Sequence, residues 1–294
     1  MSRHAASSQH LDAVAFDEPL ERRLASVDAD GVRLHWLGQA GFVITAGGRR
    51  LLIDPYLSDT LADKYRGSAM PHDRMMPAPV SLVGLGAIDL VAITHHHTDH
   101  MDPGTLAPLA AAQPGLLFVV PAASREEAVR RIGVPISRLR LIDAGRSVEP
   151  WPGLTISALR AAHETIERDA AGHHRFLGYV LRFEVGARSL TVLHSGDTVP
   201  FPGQVEEAAA FQPDVMLLPV NGRSTALAAR GVPGNMTLDE AVEFGRAVGA
   251  GAIVAHHHGM FAFNTCAPEA LRAAASVGSG PRLIPARAGL ELRL

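Results

Sequence analysis

The rhythm of apolar and polar positions divides this chain into strands and helices. From Val32 to Gly38 the two types alternate, the period of a strand with one face buried. Gln39-Ala40-Gly41 turns this strand into Phe42–Thr45, and Gly47-Gly48 turns again into Leu51–Asp54, which predicts a meander of hairpins. Ile88–Ile93 is a short apolar, β-branched run and reads as a buried strand. Asp102-Pro103 reads as an N-cap followed by proline at the first helical position, opening a helix through about Ala112.

The alternation then continues. Leu116–Val120 is a predicted strand, and Ser124–Glu127 a capping box whose helix ends at Gly133 before Pro135. Strands follow at Leu154–Leu159 and in a hairpin of Leu177–Val185 with Ser189–His194, then at Asp214–Val220. Thr237–Glu240 is a second capping box, opening a helix with Ala241, Val242, Phe244, Gly245 and Val248 on one side. Ala252–Ala255 is a further strand. Residues 57–87 have no periodicity, several prolines and Met70, Met75 and Met76. Connections of that length are usually functional or disordered, and methionines there either line a substrate mouth or fill gaps over a core. Residues 1–30 are polar and alanine-rich, with a helix near Glu18–Ser26, and are taken as an extension to one domain spanning residues 31–294.

Composition narrows the class. The 294 residues are 47% hydrophobic and 19% charged, with no apolar run long enough to cross a bilayer. The N-terminus lacks a hydrophobic signal core, so a cytoplasmic, enzyme-sized protein without a membrane partner is expected. A formal charge of −3 gives no reason to expect nucleic acid. The expected partner is a small-molecule substrate, with a homo-oligomer left open. Cys266 is the single cysteine, which excludes an internal disulfide and a thiolate zinc cluster. Positive charge is almost entirely arginine, and Lys64 is the single lysine.

The chemistry concentrates where the Ile88–Ile93 strand ends. His95, His97, Asp99 and His100 fit the pattern H-x-H-x-D-H and lie between a strand and a helix, where open α/β architectures place their sites. Residues two apart in extended chain face the same way, so His95 and His97 can meet one cation, and the following turn can aim Asp99 and His100 nearby. Imidazole with carboxylate suits zinc, manganese or iron. Other strand ends offer His163 (with His173 and His174 as rivals in a polar loop), Asp197 in H-S-G-D-T, and one of His256, His257 and His258. No seryl or cysteinyl nucleophile is needed by such an array, and no glycine-rich phosphate loop is present.

H-x-H-x-D-H after an apolar strand resembles the signature of the metallo-β-lactamase superfamily. W-L-G-x-A-G-F followed by L-I-D-P-Y is similar to the branch that includes L-ascorbate-6-phosphate lactonase and, more distantly, N-acyl-phosphatidylethanolamine phospholipase D. The resemblance implies an α/β fold, the four-layer αββα sandwich, with the site along one rim. It implies two divalent metal ions, zinc or manganese with iron as a further option. His95, His97 and His163 would hold the first, and Asp99, His100 and His257 the second, with Asp197 bridging. His163 stands where most relatives carry histidine and the lactonase aspartate. A-H-H-H-G-M-F aligns so as to select His257 over its neighbours. Asp54 and Asp102 are expected behind the ligands, Asp99 and His258 as catalytic groups (His258 as a proton donor), and Asn221, Arg223 and Asn235 on the substrate side. The implied activity is hydrolysis of a lactone or phosphoester in a small anionic metabolite. The alternatives are a diiron or dioxygenase-like oxidoreductase, which the lack of a flavin-binding domain discourages, and a phosphodiesterase acting on phospholipid-like substrates.

Overall fold

The computed structural model describes residues 11–25, 31–278 and 280–294. The first half runs β1 (Asp12–Ala15), α1 (Leu20–Ala25), β2 (Val32–Gly38), β3 (Gly41–Ala46), β4 (Arg49–Ile53), α2 (Thr60–Lys64), β5 (Leu90–Ala92), α3 (Pro103–Ala112), β6 (Leu117–Pro121), α4 (Arg125–Ile132) and β7 (Leu139–Ile142). The second half runs β8 (Ser147–Trp151), β9 (Leu154–Arg160), β10 (Leu177–Val185), β11 (Arg188–His194), α5 (Gln204–Ala209), β12 (Val215–Pro219) and α6 (Thr225–Ala228). It closes with α7 (Leu238–Val248), β13 (Ala252–His256), α8 (Pro268–Ala275), β14 (Arg282–Pro285) and β15 (Leu290–Arg293). Among these, no helix is long and apolar enough to cross a membrane.

The strands form two mixed sheets, ordered β1-β15-β2-β3-β4-β5-β6-β7 and β14-β13-β12-β11-β10-β9-β8. Period-two alternation explains why they face each other. In β2 to β4, Leu34, Trp36, Phe42, Ile44, Leu51 and Ile53 enter the core between the sheets. Their neighbours Leu37, Val43 and Leu52 enter a second core under the helices. In β12, Val215 and Leu217 face the inter-sheet core, while Met216 and Leu218 face a third core with Ala241 and Phe244 of α7. A sheet apolar on both faces must be covered on both, which gives the four-layer αββα sandwich.

Local signals came out unevenly. Asp102 caps α3 through Gly104 N, and Thr237 with Glu240 forms a complete capping box on α7. Ser124 makes no side-chain cap, because a short 3₁₀ turn over Ala122–Ser124 already leads into α4; Gly133 ends that helix in the left-handed region as expected. Residues 57–87 contain the short helix α2. The helix expected near Glu18–Ser26 is α1, and Ser26 lies outside the described residues.

The sheets meet at one rim. Leu177 N donates to Thr94 O at 3.1 Å, and the buried Tyr179 hydroxyl donates to Ile93 O at 2.7 Å. Gly196, at φ +62°, has to be glycine here: a Cβ would lie 2.3 Å from Leu177 O. The loops that leave β5, β9, β11, β12 and β13 gather along this rim.

Glu291 of β15, beside His35 of β2, is fully buried and clasps α1. Arg23 donates to both its oxygens at 3.0 Å, His35 Nε2 lies 3.1 Å away, and Arg293 pairs with it as well. Burial opposes ionisation, but the bonds from His35, Arg23 and Arg293 outweigh it and hold the carboxyl far below its usual range. A depressed carboxylate contributes stability above its unfolded value of about 4.3, lost as pH falls toward its folded value. Glu291→Gln is expected to cost about 3 kcal/mol at pH 7, the low end for breaking a buried pair because Arg23 is partly solvated. In urea unfolding the gap from wild type should shrink as pH drops below about 4; a gap constant with pH would refute the charged clasp.

Candidate metal centre

The site begins where β5 ends. After Thr94 the chain turns tightly, with His100 N and Met101 N both donating to His97 O at 3.1 and 2.7 Å. This sets the His97 ring edge-on to His95, with centroids 4.7 Å apart, and brings the His100 ring centroid within 3.9 Å of that of His95. The second sheet supplies the remainder. His163 follows β9, Asp197 follows β11 behind Gly196, and His257 follows β13 in the left-handed region at φ +61°. A histidine there is uncommon, and His257 N is fixed by donating to Gln39 O at 2.9 Å.

Three donor groups result, with ligand atoms within 4.8 Å of one another in each: His95, His97 and His163; Asp99, His100 and His257; and His95, His100 and Asp197. Asp197 sits between them. Its Oδ1 is 3.3 Å from His100 Nε2, and its Oδ2 is 3.2 Å from His257 Nε2 and 3.8 Å from His163 Nε2. Asp99 Oδ2 lies 3.6 Å from His257 Nε2 and 3.7 Å from His100 Nε2.

Asp54 sets the tautomers. At φ +42° and fully buried, it accepts from Thr94 N at 2.8 Å, Thr94 Oγ1 at 2.6 Å and His100 Nδ1 at 2.7 Å. Because the Thr94 hydroxyl donates to Asp54, it can accept from His95 Nδ1 at 3.1 Å. Both Nδ1 atoms therefore carry hydrogen, and both Nε2 lone pairs turn to the cluster, the arrangement by which a carboxylate orients a metal-bound histidine. His194 acts similarly on the backbone: Nε2 donates to Ala40 O and Nδ1 accepts from Gly196 N, fixing the turn before Asp197.

The electrostatics fit a cation. Burial opposes charge on Asp197, yet His257 and His100 outweigh it and hold the carboxyl well below its usual range. Reciprocally, burial opposes protonation of His257, but Asp197 and Asp99 raise it to about 9. His95 is pushed well down, by burial first and then by His100 and His97. The carboxylates demand positive charge at this point, and the histidines able to supply it as protons also offer lone pairs to a metal. Buried atoms without a hydrogen-bond partner make the same point: His95 Nε2, His100 Nε2, His257 Nε2 and Asp197 Oδ1. The residues present fit divalent metal.

Other expected residues lie elsewhere. Asp102 does not back the ligands; as the α3 N-cap it accepts from Gly104 N, Ser58 Oγ and Thr105 Oγ1 and so fixes the end of the motif. His258 does not face the cavity. The positive φ of His257 turns the chain, and the His258 ring stacks on Trp36 at 5.3 Å. Arg223 is turned away too, its guanidinium gripped by both oxygens of Glu240 at 2.5 and 2.6 Å. Asn221 and Asn235 do line the cleft, joined by a 3.1 Å bond from Asn235 Nδ2 to Asn221 Oδ1. The rival His173 and His174 pair instead with Asp169 and Asp143. Gln39 was missed: its side chain donates to Asp99 Oδ2 at 2.8 Å from a left-handed turn at φ +51°.

The cluster forms the floor of a cleft of about 730 Å³. One wall is the connection after β4 with the loop after β13, and the other is the loop around α6.

Two facing sheets, outer helices and a histidine–carboxylate floor at one rim are the make-up of a metal-dependent hydrolase of the metallo-β-lactamase fold. Comparison with known proteins places the chain more closely. Residues 49–258 match the model of the Beta-lactamase superfamily domain, and the chain belongs to that family. It is 28% identical over 242 residues to a UPF0173 metal-dependent hydrolase of Myxococcus xanthus, covering 80% of this chain and 74% of the relative. It is 30% identical over 204 residues to a protein of the same name in Cupriavidus taiwanensis, covering 65% of this chain and 64% of the relative. The match thus spans about two thirds to three quarters of these relatives' lengths. A crystal structure described as a possible metal-dependent hydrolase, from Veillonella parvula, superposes with a TM-score of 0.70 at 20% identity, over 90% of this chain and all of that one.

Proposed function

We propose that this chain is a dinuclear metal-dependent hydrolase acting on a lactone or phosphoester of a small anionic metabolite, in the manner of the lactonase-like branch. The observation that carries the reading is the convergence of unpartnered, buried Nε2 and Oδ1 atoms on the cleft floor. His95, His97 and His163 would hold one ion and Asp99, His100 and His257 the other, with Asp197 shared. Bound there, such ions lower the pKa of water toward 7 and polarise the oxygen under attack.

The chain's own groups do the rest. Gln39 fixes one oxygen of Asp99, leaving the other free to orient a water or take its proton. Asn221 Nδ2 and Asn235 Oδ1 have no partner and are buried in the cleft, so the pair offers one donor and one acceptor to the substrate. Asp54, through Thr94 and His100, keeps the imidazoles from swinging. The test is hydrolysis of a panel of lactones and phosphodiesters by protein loaded with manganese, zinc or iron. Turnover should vanish with chelator and return with one of the metals. Turnover undiminished by chelation, or none from any loaded form across the panel, would overturn the proposal.

A further inference from the structure

The cleft above the floor has two kinds of surface that the chemistry of bond cleavage does not use. Tyr65 and His72 stack at 4.1 Å, His72 meets Phe263 edge-on at 4.7 Å, and Phe261 and Phe263 stack at 5.8 Å. All four line the cleft, and Tyr65, His72 and Phe263 remain partly exposed to it. Aromatic surface left open inside a cleft is surface for a ligand to cover.

Charge is the second kind. The cleft is lined by Lys64, Arg131 and Arg230, whereas its acidic residues, Asp99 and Asp197, both belong to the floor. Arg131 is neutralised by Glu127. Lys64 and Arg230 are exposed and, among the described residues, have no carboxylate partner; Lys64 rests over the Tyr65 ring at 4.9 Å. An unpaired cation beside an aromatic face offers two contacts at once, one for a negative group and one for a flat apolar body.

From this juxtaposition we infer that the substrate is amphiphilic. Its aromatic or otherwise ring-sized apolar group packs on Tyr65, His72, Phe261 and Phe263, and its anionic group is met at the mouth by Lys64 and Arg230. The inference rests on the cleft being the substrate site of the hydrolase proposed above. Lys64 and Phe263 are then specificity residues, and neither touches the donor cluster.

The test reads binding and not turnover, so it stands or falls separately from hydrolysis. Metal-loaded protein is titrated calorimetrically with 2-naphthoate, its neutral amide and acetate. Naphthoate should bind tenfold to a hundredfold more tightly than acetate, the worth of burying an apolar ring, and about tenfold more tightly than the amide. Phe263→Ala should remove most of the advantage over acetate and leave acetate binding unchanged. Lys64→Met with Arg230→Met should bring naphthoate down to the amide. Equal binding of naphthoate and acetate would overturn the aromatic half. An anion preference intact in the double variant, meaning that the metals take the carboxylate, would overturn the charged half. A measurement without variants uses Lys64 being the sole lysine. Acetylation by N-hydroxysuccinimidyl acetate, mapped by mass spectrometry, should be slowed at Lys64 by 2-naphthoate and not by equal acetate; no protection would refute its place at the mouth.

Discussion

Asp197→Ala is expected to empty both halves of the metal centre together and to lower kcat/KM by more than about a hundredfold, beyond the range for partners behind the ligands. The reason is geometric. Asp197 oxygens lie 3.3 Å from His100 Nε2 and 3.2 Å from His257 Nε2 on one side and 3.8 Å from His163 Nε2 on the other, so it belongs to both halves. Its removal also takes from two buried imidazoles the carboxylate that most favours their charge, leaving Asp99 for His257 and Asp54 with Asp99 for His100. Metal analysis of purified protein decides it: a variant that keeps two ions per chain, or loses one cleanly, would refute the shared ligand. The matching control is His256→Ala. His256 stacks on His194 at 4.9 Å, inside the core and away from the cluster, so its loss should lower stability and spare metal content.

Asp54→Asn is expected to weaken metal binding by about tenfold to a hundredfold and to destabilise the fold by about 3 kcal/mol, although it exchanges one atom. Asparagine tolerates the positive φ, so the backbone is not the cause. The cause is hydrogen count. Both carboxylate oxygens are occupied by donors, namely Thr94 N, Thr94 Oγ1 and His100 Nδ1. An amide must turn its NH₂ toward one of them, and either His100 abandons its tautomer or a buried donor is left unpaired. Competition with a chelator reads the affinity, and urea unfolding reads the stability. Wild-type values in both would remove Asp54 from the account of how the imidazoles are held.

How much of this was legible beforehand follows from where each partner sits in the chain. His95, His97, Asp99 and His100 fall within six residues and need no tertiary information beyond one turn. His163, Asp197 and His257 could be picked out because each follows a readable strand. Gln39 could not: its meaning comes from Asp99, sixty positions away, and glutamine in a turn carries no ligand signal. Arg223 was misassigned although its neutralising partner was in view. Glu240 is half of the capping box on α7, and it serves that box and Arg223 with the same carboxylate. His258 was misassigned because one left-handed residue reverses which neighbour faces the cluster, and histidine gives little warning of that conformation. Strands β1, β7, β14 and β15 are four residues each, too short for a period-two signal to rise above chance. They are specified by pairing with distant strands, as β15 is by lying between β1 and β2.

The bond from Leu177 N to Thr94 O, with Gly196 pressed against Leu177 O, has a kinetic consequence. It ties the two sheets together directly behind the cluster, so the halves of the donor set cannot separate without breaking backbone pairing in the core. Admission and release of small molecules must then be governed by the two loop walls, on the nanosecond-to-microsecond scale of loop motion, while the floor stays in register on the far slower scale of unfolding. The amide of Leu177 should accordingly be among the last in the molecule to trade its hydrogen with solvent.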